Sequence, residues 1–160
     1  MKVRVKSYPA LALFVIACIL AGSSGSVFTY PNIATWYASL EKPFFTPPNW
    51  LFGPAWTTLF ILMGISIYLV WEKTGFRNKG RNALYLFVFQ FALNILWSLL
   101  FFGLRSPLLG VADIIPLWVS ILACVVVFRR IRKWAGYFML PYLVWVTFAA
   151  LLNVSVWLLN

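Results

Sequence analysis

The chain has 160 residues, 63% of them apolar and only 10% charged, whereas soluble domains hold roughly 45–50% apolar and about 25% charged residues. Its net charge of +10 comes from 13 Lys and Arg against Glu41, Glu72 and Asp113. Such hydrophobicity excludes a soluble nucleic-acid binder, a disordered chain, a collagen-like repeat and a disulfide scaffold; it leaves an integral membrane protein with lipid as its solvent and no nucleic-acid partner.

Five apolar runs are long enough to cross a bilayer, which takes about 20 residues each. The predicted fold is therefore all-α, a five-transmembrane-helix bundle forming a single domain over 1–160. The first span is predicted over 9–28. Lys2, Arg4 and Lys6 precede it and Ala21-Gly22-Ser23-Ser24 falls towards its end, a pattern shared by retained helices and cleaved signal peptides. Val15-Ile16-Ala17-Cys18 is similar to a lipoprotein acylation box, but apolar Ile19 and Leu20 follow the cysteine. A retained helix is the favoured reading, because Ala17, Ala21 and Gly25 place one small residue per turn, where a neighbouring helix can approach closely.

A long first loop follows, 29–53. It holds Trp36-Tyr37 and then Lys42-Pro43-Phe44-Phe45-Thr46-Pro47-Pro48-Asn49-Trp50, a density of rings and prolines unusual for a solvated connector. Proline limits the backbone in advance, and Trp and Tyr suit a membrane interface. The segment reads either as a roof folded back on the bundle or as an aromatic belt with no ligand.

The remaining spans are predicted over 54–71, 83–104, 108–128 and 135–159, with Gly53-Pro54 and Ser106-Pro107 as helix-start signals. The third span sets Gln90, Asn94, Trp97, Ser98 and Phe101 at spacings of three and four, hence on one face. The fifth repeats the pattern with Tyr142, Trp145, Ala149, Leu152 and Asn153. Polar side chains are costly in hydrocarbon, so these faces turn inward, where they either bond helix to helix or line a cavity. Asp113 is the only acid deep in a span, and Pro116 one turn later can kink its helix. Cys18 and Cys124 lie in apolar runs and support neither a disulfide nor a metal site, and a chain without histidine lacks the commonest haem ligand.

Basic residues set an orientation. The N-terminal arm carries Lys2, Arg4 and Lys6, the second loop Lys73, Arg77, Lys79 and Arg81, and the fourth loop Arg129, Arg130, Arg132 and Lys133. With five spans these eleven share one side, against Lys42 and Arg105 on the other. The positive-inside rule then puts the N-terminus in the cytoplasm, with the C-terminus and first loop outside. The expected location is a prokaryotic cytoplasmic membrane.

The motif Trp36-Tyr37-x-x-Leu40-x-Lys42-Pro43-x-x-x-Pro47-Pro48-x-Trp50-x-x-Gly53-x-x-Trp56 resembles the first-loop signature of the translocator protein family, also called tryptophan-rich sensory protein or peripheral-type benzodiazepine receptor. Leu93-Asn94-x-x-Trp97-Ser98-x-x-Phe101-Phe102-Gly103 and Leu140-Pro141-Tyr142-x-x-Trp145-x-x-Phe148-Ala149-x-x-Leu152-Asn153 agree in order and span. The resemblance implies a five-helix bundle with a ligand cavity under the first loop. It implies a membrane receptor or carrier for porphyrin-type tetrapyrroles such as protoporphyrin IX and haem, bound as ligands with no cofactor required, alongside synthetic isoquinoline and benzodiazepine ligands. Pocket residues carried over are Tyr37 and Pro47 from the loop, Trp56 and Phe60 from the second span, Asn94 and Trp97 from the third, and Trp145, Ala149 and Leu152 from the fifth.

Some bacterial relatives imply an alternative, light- and oxygen-dependent degradation of protoporphyrin IX, with Trp56 and Trp145 as the catalytic, redox-active neighbours. The cholesterol motif of animal members needs a basic residue after a tyrosine near the C-terminus, and nothing basic follows Tyr142. A homodimer is also implied, but the third-helix positions that are small in dimerising relatives are here Tyr85 and Phe89, so its interface differs. Finally, two helix starts together with Lys42 and Arg105 at the outer mouth form an electropositive rim suited to carboxylates such as porphyrin propionates.

Overall fold

A computed structural model describes residues 6–160; Lys2 and Arg4 of the basic arm lie outside the described residues. Helix α1 (Tyr8–Ser23) starts at Ser7, whose hydroxyl accepts the Ala10 N–H, with a proline in the first turn. Its continuation, α2 (Ser26–Ile33), is bent from it by 45°. One straight span over 9–28 is thus replaced by a broken one that reaches further along the chain. The break falls in Gly22-Ser23-Ser24-Gly25-Ser26, where the Ser24 and Ser26 hydroxyls donate to the Ala21 and Ser23 carbonyls and compete with the helical ladder.

A short helix, α3 (Trp36–Ser39), and a 3-10 turn (Asn49–Leu51) punctuate the first loop before α4 (Phe52–Thr74). Helix α4 ends at Gly75, which adopts a left-handed φ of 58° while its N–H caps the Trp71 carbonyl. Helix α5 (Lys79–Ser98) runs into a π-helical turn (Leu99–Gly103). Helix α6 (Pro107–Ile131) begins on the Ser106-Pro107 signal, with Ser106 accepting the Leu109 N–H. Only the extended residue Arg132 separates it from α7 (Lys133–Leu159).

The bent α1–α2 pair, α4, α5 with its π turn, α6 and α7 make up the five spans. At 1.5 Å per residue, helices of 23 to 27 residues exceed the roughly 30 Å hydrocarbon core. Helix α6 packs between α5 and α7, while α4 packs against α1 and α7. Met63, Tyr68, Ile121, Phe128, Met139 and Tyr142 are fully buried at the centre. Leu13, Ile16, Phe89, Val119, Val144 and Leu151 point outward. An apolar exterior around a packed interior is the arrangement hydrocarbon solvent dictates, and the protein is an integral membrane protein.

One end is tied by Glu72, the carboxylate of which accepts the Lys6 backbone N–H and the Tyr68 hydroxyl and pairs with Arg132. This joins α1, α4 and the α6–α7 joint. Further into the bundle Ser66 donates to the Ala135 carbonyl. Nearer the opposite end, α1–α2, α4, α5 and α7 enclose a cavity.

Candidate functional site

The cavity has a volume of about 470 Å³ and lies between α1–α2, α4, α5 and α7, beneath the first loop. Helical spacing builds each wall. On α4, Trp56 and Phe60 stand one turn apart and stack at 5.6 Å. On α5, Asn94, Trp97 and Ser98 face the space. The π turn then inserts an extra residue, so that consecutive Phe101 and Phe102 both turn inward against the roof. Trp97 stacks on Phe101 at 4.9 Å and 14°. On α7, Trp145, Ala149, Leu152, Asn153 and Val156 complete the wall.

Tyr37 forms the roof, 5% exposed and held edge-on against Phe101. Burial pushes its phenol above the ordinary tyrosine value, so the ring is neutral. Lys42 sits 4.9 Å over that ring and donates to the Ala38 and Leu40 carbonyls. Arg105 donates through Nε to Asn32 Oδ1 at the surface. Neither cation lines the cavity, and no charged side chain does among the described residues.

Thus Tyr37, Trp56, Phe60, Asn94, Trp97, Trp145, Ala149 and Leu152 come together around one space, whereas Pro47 does not reach it. The loop contributes Asn49 and Trp50 instead, and α4 adds its first residue, Phe52. The sequence reading also missed the α1–α2 wall of Gly22, Ser23, Gly25, Ser26 and Thr29. A signal for it existed in Gly22, which lies against the Phe60 ring with no room for a methyl group, and Gly25, which lies against Ser98.

The polar groups of the wall differ in what they leave free. Trp97 donates Nε1–H to Asn153 Oδ1 at 3.0 Å, and Asn153 Nδ2 donates to the Pro107 carbonyl at 2.9 Å. The Thr57 and Thr29 hydroxyls donate to the carbonyls four residues back, and the Ser26 hydroxyl donates across the helix break to the Ser23 carbonyl. Asn94 Nδ2 donates to Tyr142 Oη at 2.9 Å. The Trp145 indole N–H is buried without an acceptor. Trp56 and Trp145 meet nearly at right angles, 6.5 Å apart. Asp113 lies behind the wall on α6, and among the described residues no group of three or more His, Cys, Asp or Glu gathers as a metal site.

A five-span bundle closed over a neutral, aromatic-walled space by its first loop defines a small polytopic membrane protein built around an internal cavity. The chain belongs to the TspO/MBR family, whose model matches residues 14–158. It is 49% identical to the tryptophan-rich protein TspO of Archaeoglobus fulgidus over 150 residues, 94% of this chain and 96% of that relative. It is 42% identical to the tryptophan-rich protein TspO of Chlorobaculum tepidum over 156 residues, 97% and 98% of the two chains. The similarity extends to the human translocator protein, 37% identical over 150 residues, 93% of this chain and 88% of the human one.

Proposed function

We propose that the protein is a membrane receptor or carrier that binds porphyrin-type tetrapyrroles, protoporphyrin IX or haem, and similar flat hydrophobic molecules in this cavity. The observation that carries the reading is the cavity itself: about 470 Å³ of uncharged space walled by Trp56, Phe60, Trp97, Phe101 and Trp145. That volume lies within the range of small-molecule sites, and ring faces offer broad apolar contact to a planar ligand. The chain resides in a prokaryotic cytoplasmic membrane with its N-terminus inside and its C-terminus and roof outside, as the charge bias favours. Purified protein titrated with protoporphyrin IX in the dark is expected to saturate with quenching of tryptophan fluorescence. Absence of saturable binding sinks the reading.

The nearly perpendicular Trp56–Trp145 pair favours a second reading, light- and oxygen-dependent degradation of the bound porphyrin. Two oxidisable indoles beside one ligand site are placed to act as redox neighbours of an excited ring. Illuminating the titrated sample against a ligand-only control separates binding from turnover: a porphyrin that bleaches no faster with protein than without it removes the enzyme reading.

A further inference from the structure

Away from the cavity, α6 and α7 run antiparallel and touch at the surface in two places. At the basic end the Arg129 guanidinium lies 5.6 Å over the ring of Tyr137, which is 39% exposed. Nearer the middle of the bundle Trp118 donates Nε1–H to Thr147 Oγ1 at 2.7 Å, again at the surface. Passing from the first contact to the second takes eleven residues back along α6 and ten forward along α7. The two helices therefore keep one register, in which Val126 stands opposite Leu140 and Leu122 opposite Val144. All four of these side chains are exposed, and their spacings of three and four carry one apolar strip down the outer face of the pair. At 1.5 Å per residue the strip is about 16 Å long, close to half of the roughly 30 Å hydrocarbon core and so to the depth of one leaflet.

The two ends of the strip differ in chemistry. Trp118 and Thr147 satisfy each other, and the Thr147 hydroxyl donates on to the Leu143 carbonyl, so this end suits hydrocarbon. The other end is cationic and aromatic. Lys133 is exposed one turn before Tyr137 on the same face of α7, and Trp134 meets the Tyr137 ring edge-on at 5.8 Å. Among the described residues Glu72 is the one acid at this end, and Arg132 pairs with it. Arg129 and Lys133 thus have no carboxylate partner, and a guanidinium laid on a ring keeps its N–H edge for an anion.

We propose that the outer face of the α6–α7 pair holds one anionic phospholipid from the leaflet at the basic end. Its phosphate lies against Arg129 and Lys133, and its glycerol is level with the Tyr137 and Trp134 rings. One acyl chain runs along Val126, Leu140, Leu122 and Val144 and ends near Trp118 and Thr147. Charge complementarity selects the headgroup, since a zwitterionic lipid brings a cation of its own to a site that is already cationic, and the length of the strip fits a full chain. The site is separate from the cavity and does not depend on what the cavity binds.

The test is native mass spectrometry of the purified protein in a neutral detergent, titrated with dioleoyl phosphatidylglycerol or dioleoyl phosphatidylcholine. A basic side chain beside an anionic headgroup is worth a factor of about five, so the first phosphatidylglycerol should bind about tenfold or more tightly than the first phosphatidylcholine. Arg129→Gln with Lys133→Gln keeps the Arg129 β-carbon against which Gly136 packs and should remove that preference. Arg77→Gln with Arg81→Gln takes the same charge from the α4–α5 loop and should leave most of it. Glycerol phosphate, the headgroup without chains, should not displace the lipid at equal concentration. A phosphatidylglycerol with a photoreactive diazirine near the end of one chain should label α6 and α7 around Trp118 and Thr147; this arm needs no variant, so it tests the site even if a charge variant does not fold. Equal losses in the two charge variants would mean diffuse attraction to a basic surface and overturn the proposal. So would equal affinity for the two lipids in the unaltered protein, displacement by glycerol phosphate, or labelling confined to other helices.

Discussion

Ala149 stands one turn beyond Trp145 on α7, half-buried, with its methyl group towards the cavity. A leucine there fills open space, so Ala149→Leu should weaken protoporphyrin binding roughly tenfold, about 1.4 kcal/mol, without loss of thermal stability. If the space were packed, the same change would overfill it and cost about 1–3 kcal/mol of stability. Measuring both quantities in one detergent decides between them. For the two indoles, Trp56→Phe with Trp145→Phe keeps flat apolar surface and should leave most of the binding while lowering any light-driven turnover; equal turnover would take these tryptophans out of the chemistry. Asn94, Trp97, Trp145, Ala149 and Leu152 were legible in the sequence because a helix puts residues three and four apart on one face. Loop residues have no such period. A shared motif therefore pointed to Pro47, while folding brings Asn49 and Trp50 to the cavity.

Helix α1 was legible as a span but not as a wall. A β-carbon added to Gly64 would lie 2.6 Å from Val15 Cα and 3.0 Å from the Phe14 carbonyl oxygen, so α1 and α4 touch backbone to backbone. Backbone cannot rotate away as a side chain can. Gly64→Ala should therefore cost about 1–3 kcal/mol and lower the thermal midpoint in detergent. It should also loosen the cavity, since α1 carries Gly22 against Phe60. Gly53→Ala, with nothing within 4 Å of the added carbon, is the control and should leave stability unchanged or raise it by up to about 1 kcal/mol. An equal midpoint for both variants would mean that α1 and α4 are not in close contact. The helix break at Ser24–Gly25 and the π turn escaped the sequence reading for a related reason. Hydropathy marks how long a run is, whereas these features depend on hydroxyls that bond backbone carbonyls three residues back and on one residue added to a turn.

On the scale of the whole molecule, antiparallel packing turns a scattered charge pattern into a polar difference between two ends. Lys73, Lys79, Arg129, Arg130 and Lys133 sit where α4 and α6 finish and α5 and α7 begin, the end that Glu72 and Arg132 tie together. With Lys6, Arg77, Arg81 and Arg132 it holds nine basic residues among those described, against Lys42 and Arg105 at the cavity end. Basic loops resist translocation, and this supports the proposed orientation, with the Glu72 end in the cytoplasm and the cavity opening towards the outer half of the bilayer. Two fusions test this orientation. A reporter that is active only in the cytoplasm should be silent after Asn160 and active when joined at Lys79; a reporter active only outside should give the reverse. Removing charge from the basic end, by Arg129→Gln with Arg130→Gln and Lys133→Gln, should weaken the bias and yield a mixed signal at both fusion points. If the first reporter is active after Asn160 and silent at Lys79, the chain is inverted: Tyr37 and the roof then face the cytoplasm, and any ligand reaching the cavity comes from the inner side.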